Sequence, residues 1–382
     1  MSLPEPDAAA REHCARLVAH IQDEIRRDAG WIGFARYMEL ALYAPGLGYY
    51  SGGAQKFGSG GDFITAPELS PLFGACIARQ AQQIMQASAP AILEVGAGSG
   101  ALACDLLAAL AAAGQAPEQY AILELSGELR ARQAARIARA VPELAERVVW
   151  LDRLPDAWRG LIVGNELLDA MPVQLVHWTA DGICERGVTT AADGRFAWAD
   201  RPAQGAVAAA AQALPAEPPY LSEIALAARA WVAAWGERLQ SGALLLIDYG
   251  FPRHEYYHPQ RHQGTLMCHY RHRAHIDPFH LPGLTDITAH VDFTALAEAA
   301  HAAGLTLAGY TSQAAFLLNC GLTDVLAQAP DHSGREWARS AAAANKLISP
   351  SEMGELFKVI AFSRGMPDEL CGFARGDRRH AL

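Results

Sequence analysis

The chain has 382 residues, enough to bury a large core and to form two or three domains. With 51% hydrophobic and 19% charged residues it has the composition of an ordinary globular protein, and a formal net charge of −10 argues against binding nucleic acid or anionic membrane. No run reaches the roughly 18 apolar residues of a membrane span.

In chain order, the N-terminus MSLPEPDAAAREH has neither signal-peptide nor transit-peptide form, so a cytoplasmic protein is expected. Residues 7–28 carry Leu17, Val18, Ile21 and Ile25 at helical spacing. Residues 37–74 are rich in glycine and aromatics, and read as an ordered lid or platform with tight turns. Ser70 and Pro71 open a helix to about residue 87. From residue 91 short apolar strands (91–96, 120–124, 147–151, 160–164, 243–248, 305–310, 357–362) alternate with helices at about 99–113, 127–140 and 222–240. That rhythm implies an α/β fold with a doubly wound parallel sheet. Residues 172–199 break it as a β-meander, with hairpin turns at Asp181-Gly182 and Asp193-Gly194. Residues 200–219 read as a surface connection and 251–290 as a long functional loop, and two helices follow near 313–328 and 334–347. Seven scattered cysteines without a CxxC pair read as free thiols in a reducing compartment.

The segment AILEVGAGSGALACDLLAAL, residues 91–110, runs from strand through Gly96, Gly98 and Gly100 into helix. Such a turn serves several nucleotide ligands. Two carboxylates narrow the choice. Glu94 ends the strand two residues before the first glycine. Within about 5 Å of a pyrophosphate it would cost roughly 3 kcal/mol at an effective dielectric of 20. S-adenosylmethionine has no phosphate and carries a sulfonium and an ammonium, so an acid there is favourable. Glu124 ends the next strand, where a carboxylate can accept both ribose hydroxyls, a feature shared with NAD sites. Ala101, at the third glycine position of the dinucleotide fingerprint, mildly disfavours NAD. The sum favours the methyl donor, with a purely packing role for the glycines as the alternative.

At this point the chain resembles the MidA-like S-adenosylmethionine-dependent methyltransferases, whose mitochondrial members are complex I assembly factors that symmetrically dimethylate a protein arginine. The resemblance spans nearly the whole chain through YMELALYAPGLGYY, GDFITAPELSPLFG, EVGAGSGALACDLL, GNELLDAMPV, LLLIDYG, GTLMCHYRHRAH, PGLTDITAHVDF and MGELFKVIAFSR. Ala97 departs from the family's usual proline. The resemblance implies a class I methyltransferase, Rossmann-like over 89–382, with an N-terminal helical and loop cap over 1–88. Insertions are expected at about 172–220, 251–290 and 311–350, the first carrying a β-meander and helical substrate region. It also implies S-adenosylmethionine as cofactor and a protein with a basic, arginine-bearing segment as partner, while the net charge of −10 is the reason that no nucleic acid or membrane partner is expected.

Four further constellations bear on chemistry. Asn165, Glu166 and Asp169 follow the fourth strand, with Glu166 and Asp169 read on one face of a helical turn. They are the catalytic candidates, because an arginine acceptor stays protonated near neutral pH and carboxylates can fork-bond it, orient it and help accept its proton. Asn165 also counts toward the cofactor site; a helix cap with solvated acids is the alternative. Asp62, Thr65 and Glu68 are read as a loop folding over the cofactor, and Leu125, after Glu124, as a further contact. Asp248 and Tyr249 end the fifth strand as substrate-binding candidates. Nine of the fourteen histidines lie between His254 and His301. Without HExxH or Cys/His pairing they read as loop residues rather than metal ligands, His290 being a candidate proton acceptor. A small-molecule methyltransferase, a cofactor-binding assembly factor with little turnover and an NAD-dependent oxidoreductase are the rival readings.

Overall fold

The computed structural model describes residues 3–52, 65–328, 334–367 and 369–382. These residues form two compact units, each assembled from three stretches of chain.

One unit holds described residues from 65 to 167, Trp231–Gly250 and Phe293–Leu382. Its sheet runs Val148–Leu151, Gln119–Leu123, Ala91–Val95, Trp158–Asn165, Leu239–Phe251, Phe357–Arg364, Thr306–Ser312. Pairing is parallel as far as the Leu239–Phe251 strand, and Phe357–Arg364 is antiparallel to both its neighbours. This is the class I methyltransferase arrangement: in chain order 3-2-1-4-5-7-6, with one reversed strand. The strand order turns back between Ala91–Val95 and Trp158–Asn165, and an open α/β sheet leaves a ligand crevice at such a switch. Ile92, Tyr120, Leu161, Leu245 and Val359 lie fully buried across the sheet, as expected of strands covered on both faces.

The sequence placed a boundary at residue 88, yet the helix Pro71–Ala87 belongs to the sheet unit. Phe73, Ile77, Ala81 and Ile84 share its core with Leu106 and Leu107, and Gly74 admits the Asp105 side chain where a Cβ would come within 2.4 Å.

The other unit holds described residues from 3 to 52, Leu168–Ala230 and Phe251–Asp292. The helix Ala8–Arg27 starts where Asp7 accepts from the Ala10 N–H at 2.8 Å, and buries Leu17, Ile21 and Ile25. The meander is present as Gln174–Thr179, Gly182–Thr190 and Phe196–Pro202. Four readings change. The helix read over 222–240 is a strand, Tyr220–Ile224, then a shorter helix, Leu226–Arg238; the strand pairs with Gln174–Thr179 and buries four of its five residues. Residues 251–290 contain a small sheet, Met267–Tyr270, Arg273–His275 and Asp286–Thr288, whose three- and four-residue strands are too short to show a period. The helix Phe34–Tyr43 falls in what reads as turn-rich sequence. In the sheet unit, the helix expected over 313–328 breaks after Cys320, and Gly321, with φ of +74°, caps the start of the next helix.

Candidate active site

The sheet unit builds its site around the glycine turn. Gly96, Gly98 and Gly100 have φ of +72°, +52° and +80°, a region that side chains disfavour. A Cβ on Gly96 would lie 3.3 Å from Leu167, and one on Gly100 would lie 3.4 Å from the Gln133 backbone. The turn is thus pressed between the fourth-strand loop and the helix Gly127–Ala140.

Two carboxylates flank it. Glu94 is 3% exposed, and the Tyr120 hydroxyl donates to its Oε2 at 2.6 Å. Burial pushes its carboxyl up to about 7, Tyr120 opposes the shift, and the charges of Glu124 and Asp105 add to it. Glu124 is also raised by burial, against hydrogen bonds that favour its ionised form. The Ser126 N–H donates to its Oε1 at 2.9 Å and the Gln133 amide to its Oε2 at 3.2 Å. Leu125, next in the chain, leaves 78% of its surface exposed.

At the end of the fourth strand Glu166 has φ of +50°, a conformation uncommon in a residue with a side chain. Its N–H donates to the Ile247 carbonyl at 2.9 Å, and the Asn165 amide donates to its Oε1 at 3.0 Å. Asp248, 1% exposed, accepts from the Leu167 N–H at 3.1 Å and from the Tyr249 N–H at 2.9 Å, so it holds this loop to the fifth strand. Tyr249 packs edge-on against Phe357. The expected helical turn does not form: residues 166–171 are irregular, with a Met171 N–H to Leu168 carbonyl bond, and Asn165 caps no helix.

Glu68 follows Thr65, which flanks the short helix Ala66–Leu69 without a side-chain cap bond. Its Oε1 accepts from Arg136 at 2.8 Å and from Ser99, and Arg136 also donates to the Ser99 hydroxyl at 2.7 Å. The residue read as a cofactor contact thereby ties its helix to the glycine turn. Asp62 lies outside the described residues.

Asp169 and His290 belong to the other unit. Asp169 is 5% exposed and its carbonyl accepts from the Ala289 N–H at 3.0 Å. His290 stacks on Phe251 at 5.3 Å, and its backbone N–H donates to the Thr265 hydroxyl at 3.1 Å. Thr265 is in turn bound to the buried Glu223 carboxylate through both N–H and hydroxyl. Of the clustered histidines, His269 is pushed down to about 4 by burial and by His275. Gln133, Tyr120, Arg136 and Glu223 escaped the sequence reading, since each acts through contacts that no local motif announces.

The residues fit S-adenosylmethionine on an observation of the fold itself. Asn165 Oδ1 is buried with no hydrogen-bond partner among the described residues, at the switch point beside the glycine turn. An orphaned acceptor suits a cationic or N–H donor.

Comparison with known proteins agrees. A family model described as "Putative S-adenosyl-L-methionine-dependent methyltransferase" matches residues 76–311. A Burkholderia thailandensis protein crystallised with S-adenosyl-homocysteine is 56% identical, with a TM-score of 0.96 and full coverage of both chains. A native crystal structure from the same organism gives 54% identity and a TM-score of 0.94, again with full coverage. The protein arginine methyltransferase NDUFAF7 homolog, mitochondrial, of Drosophila melanogaster is 29% identical over 95% of this chain and 88% of its own. The protein arginine methyltransferase NDUFAF7, mitochondrial, of Danio rerio is also 29% identical, over 90% of this chain and 86% of its own. With its glycine turn, its sheet order and a family match over most of its length, the chain belongs to the S-adenosyl-L-methionine-dependent methyltransferases.

Proposed function

We propose that this methyltransferase modifies an arginine side chain of a protein, with Glu124 receiving the ribose hydroxyls of the donor and Leu125 covering its adenine. The observation that carries the acceptor reading is Glu166. A left-handed glutamate held at the sheet's switch point by the Ile247 carbonyl and the Asn165 amide is a carboxylate placed at a conformational cost. The names of the curated relatives point the same way.

When bound, the donor supplies a methyl carbon on a positively charged sulfur. The rest falls to the chain. A guanidinium is charged at any physiological pH and has no localised lone pair. The Glu166 carboxylate binds it, orients one nitrogen and takes the proton that methylation releases. Asp248 keeps the 166–167 backbone in place while this happens.

The test is incubation with methyl-labelled S-adenosylmethionine and a lysate of the source cell. Label is expected on protein arginine. Glu166→Gln should keep S-adenosylhomocysteine affinity within about twofold and lose at least ~100-fold in turnover, the mark of an interaction made in the transition state. Label confined to small metabolites would replace the arginine reading with a small-molecule one.

A further inference from the structure

Gln133 lies on the helix Gly127–Ala140, among arginines and alanines, and no motif includes it. It is fully buried. Its amide nitrogen donates to the Gly98 carbonyl at 2.9 Å and to Glu124 Oε2 at 3.2 Å, while its oxygen accepts from the Trp150 indole at 2.9 Å. Both N–H groups and the carbonyl of one side chain are thus committed, to three different elements. A buried amide so placed cannot rotate without leaving polar groups unpaired.

We infer that Gln133 is the positioning residue that fixes the ribose-reading carboxylate of Glu124 against the glycine turn. The inference rests on the reading of Glu124 given above. Each carboxylate oxygen can accept about two hydrogen bonds. Ser126 takes a site on Oε1 and Gln133 one on Oε2, and a bond on each oxygen fixes the plane in which two neighbouring hydroxyls can be met. The bond to Gly98 adds a second constraint. A planar trans peptide points its N–H opposite to its carbonyl, so anchoring the Gly98 carbonyl on the helix turns the Ser99 N–H away from it. The same residue packs under Gly100, where a Cβ would lie 3.4 Å from its Cα. A leucine or methionine would fill this space equally well. The three bonds are what packing alone does not require.

The experiment is calorimetric titration with S-adenosylhomocysteine of the wild type, Gln133→Met, Gln133→Glu, Glu124→Ala and the two Gln133 substitutions combined with Glu124→Ala. Gln133→Met removes every polar atom at similar volume. Gln133→Glu keeps an acceptor for Trp150 and can donate at most one of the two bonds, so it serves if the first variant fails to fold. Each single Gln133 substitution should weaken binding about tenfold or more, and by less than about threefold once Glu124 is gone, since partners in one network are not additive. Trp150 gives a separate readout: the difference in indole emission between wild type and Trp150→Phe should shift on ligand addition, and the shift should vanish with Gln133→Met. Affinity within about twofold of wild type for folded Gln133→Glu, or an undiminished cost in the Glu124→Ala background, overturns the inference. If Glu124→Ala binds as wild type does, the ribose reading falls; if only the Gln133 variants do, that reading stands and the positioning role falls.

Discussion

Glu94 shows what one residue contributes and costs. Its identity is legible as a strand-end acid, but not its burial under the turn or its bond to Tyr120, because Tyr120 reaches it from another strand. With a folded carboxyl pushed up to about 7 against an ordinary 4.5, the folded chain holds this proton between those values and the unfolded chain does not. Stability contributed by this group is therefore present at low pH and lost as pH rises through 7. Glu94→Gln, which keeps an acceptor for Tyr120, should melt close to wild type near pH 5 and above it near pH 8. The gain should reach as much as ~3 kcal/mol, the worth of that shift. Calorimetric melts of the ligand-free protein across this range check it, and equal midpoints at pH 8 would remove the burial cost. Glu166 is the contrasting residue: its acidity is plain in the sequence, but its left-handed backbone depends on a bond to Ile247, from the fifth strand.

Whole elements were readable where they are long and covered on both faces. The strands Ala91–Val95, Gln119–Leu123 and Phe357–Arg364 are apolar runs, and the sheet buries them as expected. Tyr220–Ile224 overlaps the helix expected over 222–240 because its residues suit a helix as well as a strand, and only pairing with Gln174–Thr179 decides between them. The short helix Ala66–Leu69 owes its position to Arg136, which reaches both Glu68 and Ser99. Arg136→Ala should cost ~1–2 kcal/mol, lowering the melting midpoint by roughly 2–6 °C. Amide exchange should quicken over 66–73 and remain slow in the central strands. Unchanged exchange over 66–73 would show that the apolar contacts of Ala66 and Phe73 hold that segment without the ion pair.

For the molecule as a whole, both units are discontinuous in sequence, an arrangement visible only once pairing is known. The glycine turn and the alternation of strands and helices identify the methyltransferase fold, but they do not show that the first helix of its core precedes residue 88. A fragment of residues 89–382 would lose Phe73, Ile77, Ala81 and Ile84 from the sheet unit's core, of which Phe73, Ile77 and Ile84 are each worth on the order of 2–5 kcal/mol when truncated. It should show no cooperative melt and no S-adenosylhomocysteine binding, whereas a fragment from residue 65 retains those side chains. Cooperative melting of the shorter fragment would return the boundary to residue 88.

The reversed strand Phe357–Arg364 also bears on biosynthesis. It sits between Leu239–Phe251 and Thr306–Ser312, both of which leave the ribosome before it. For the hundred or so residues in between, roughly 5–20 s of translation, the Leu244, Leu245 and Leu246 stretch presents an unpaired edge. The nascent polypeptide is thus most exposed to chaperones, and to association with its own copies, late in synthesis, and a message truncated shortly before codon 357 would yield a product with that edge left permanently open.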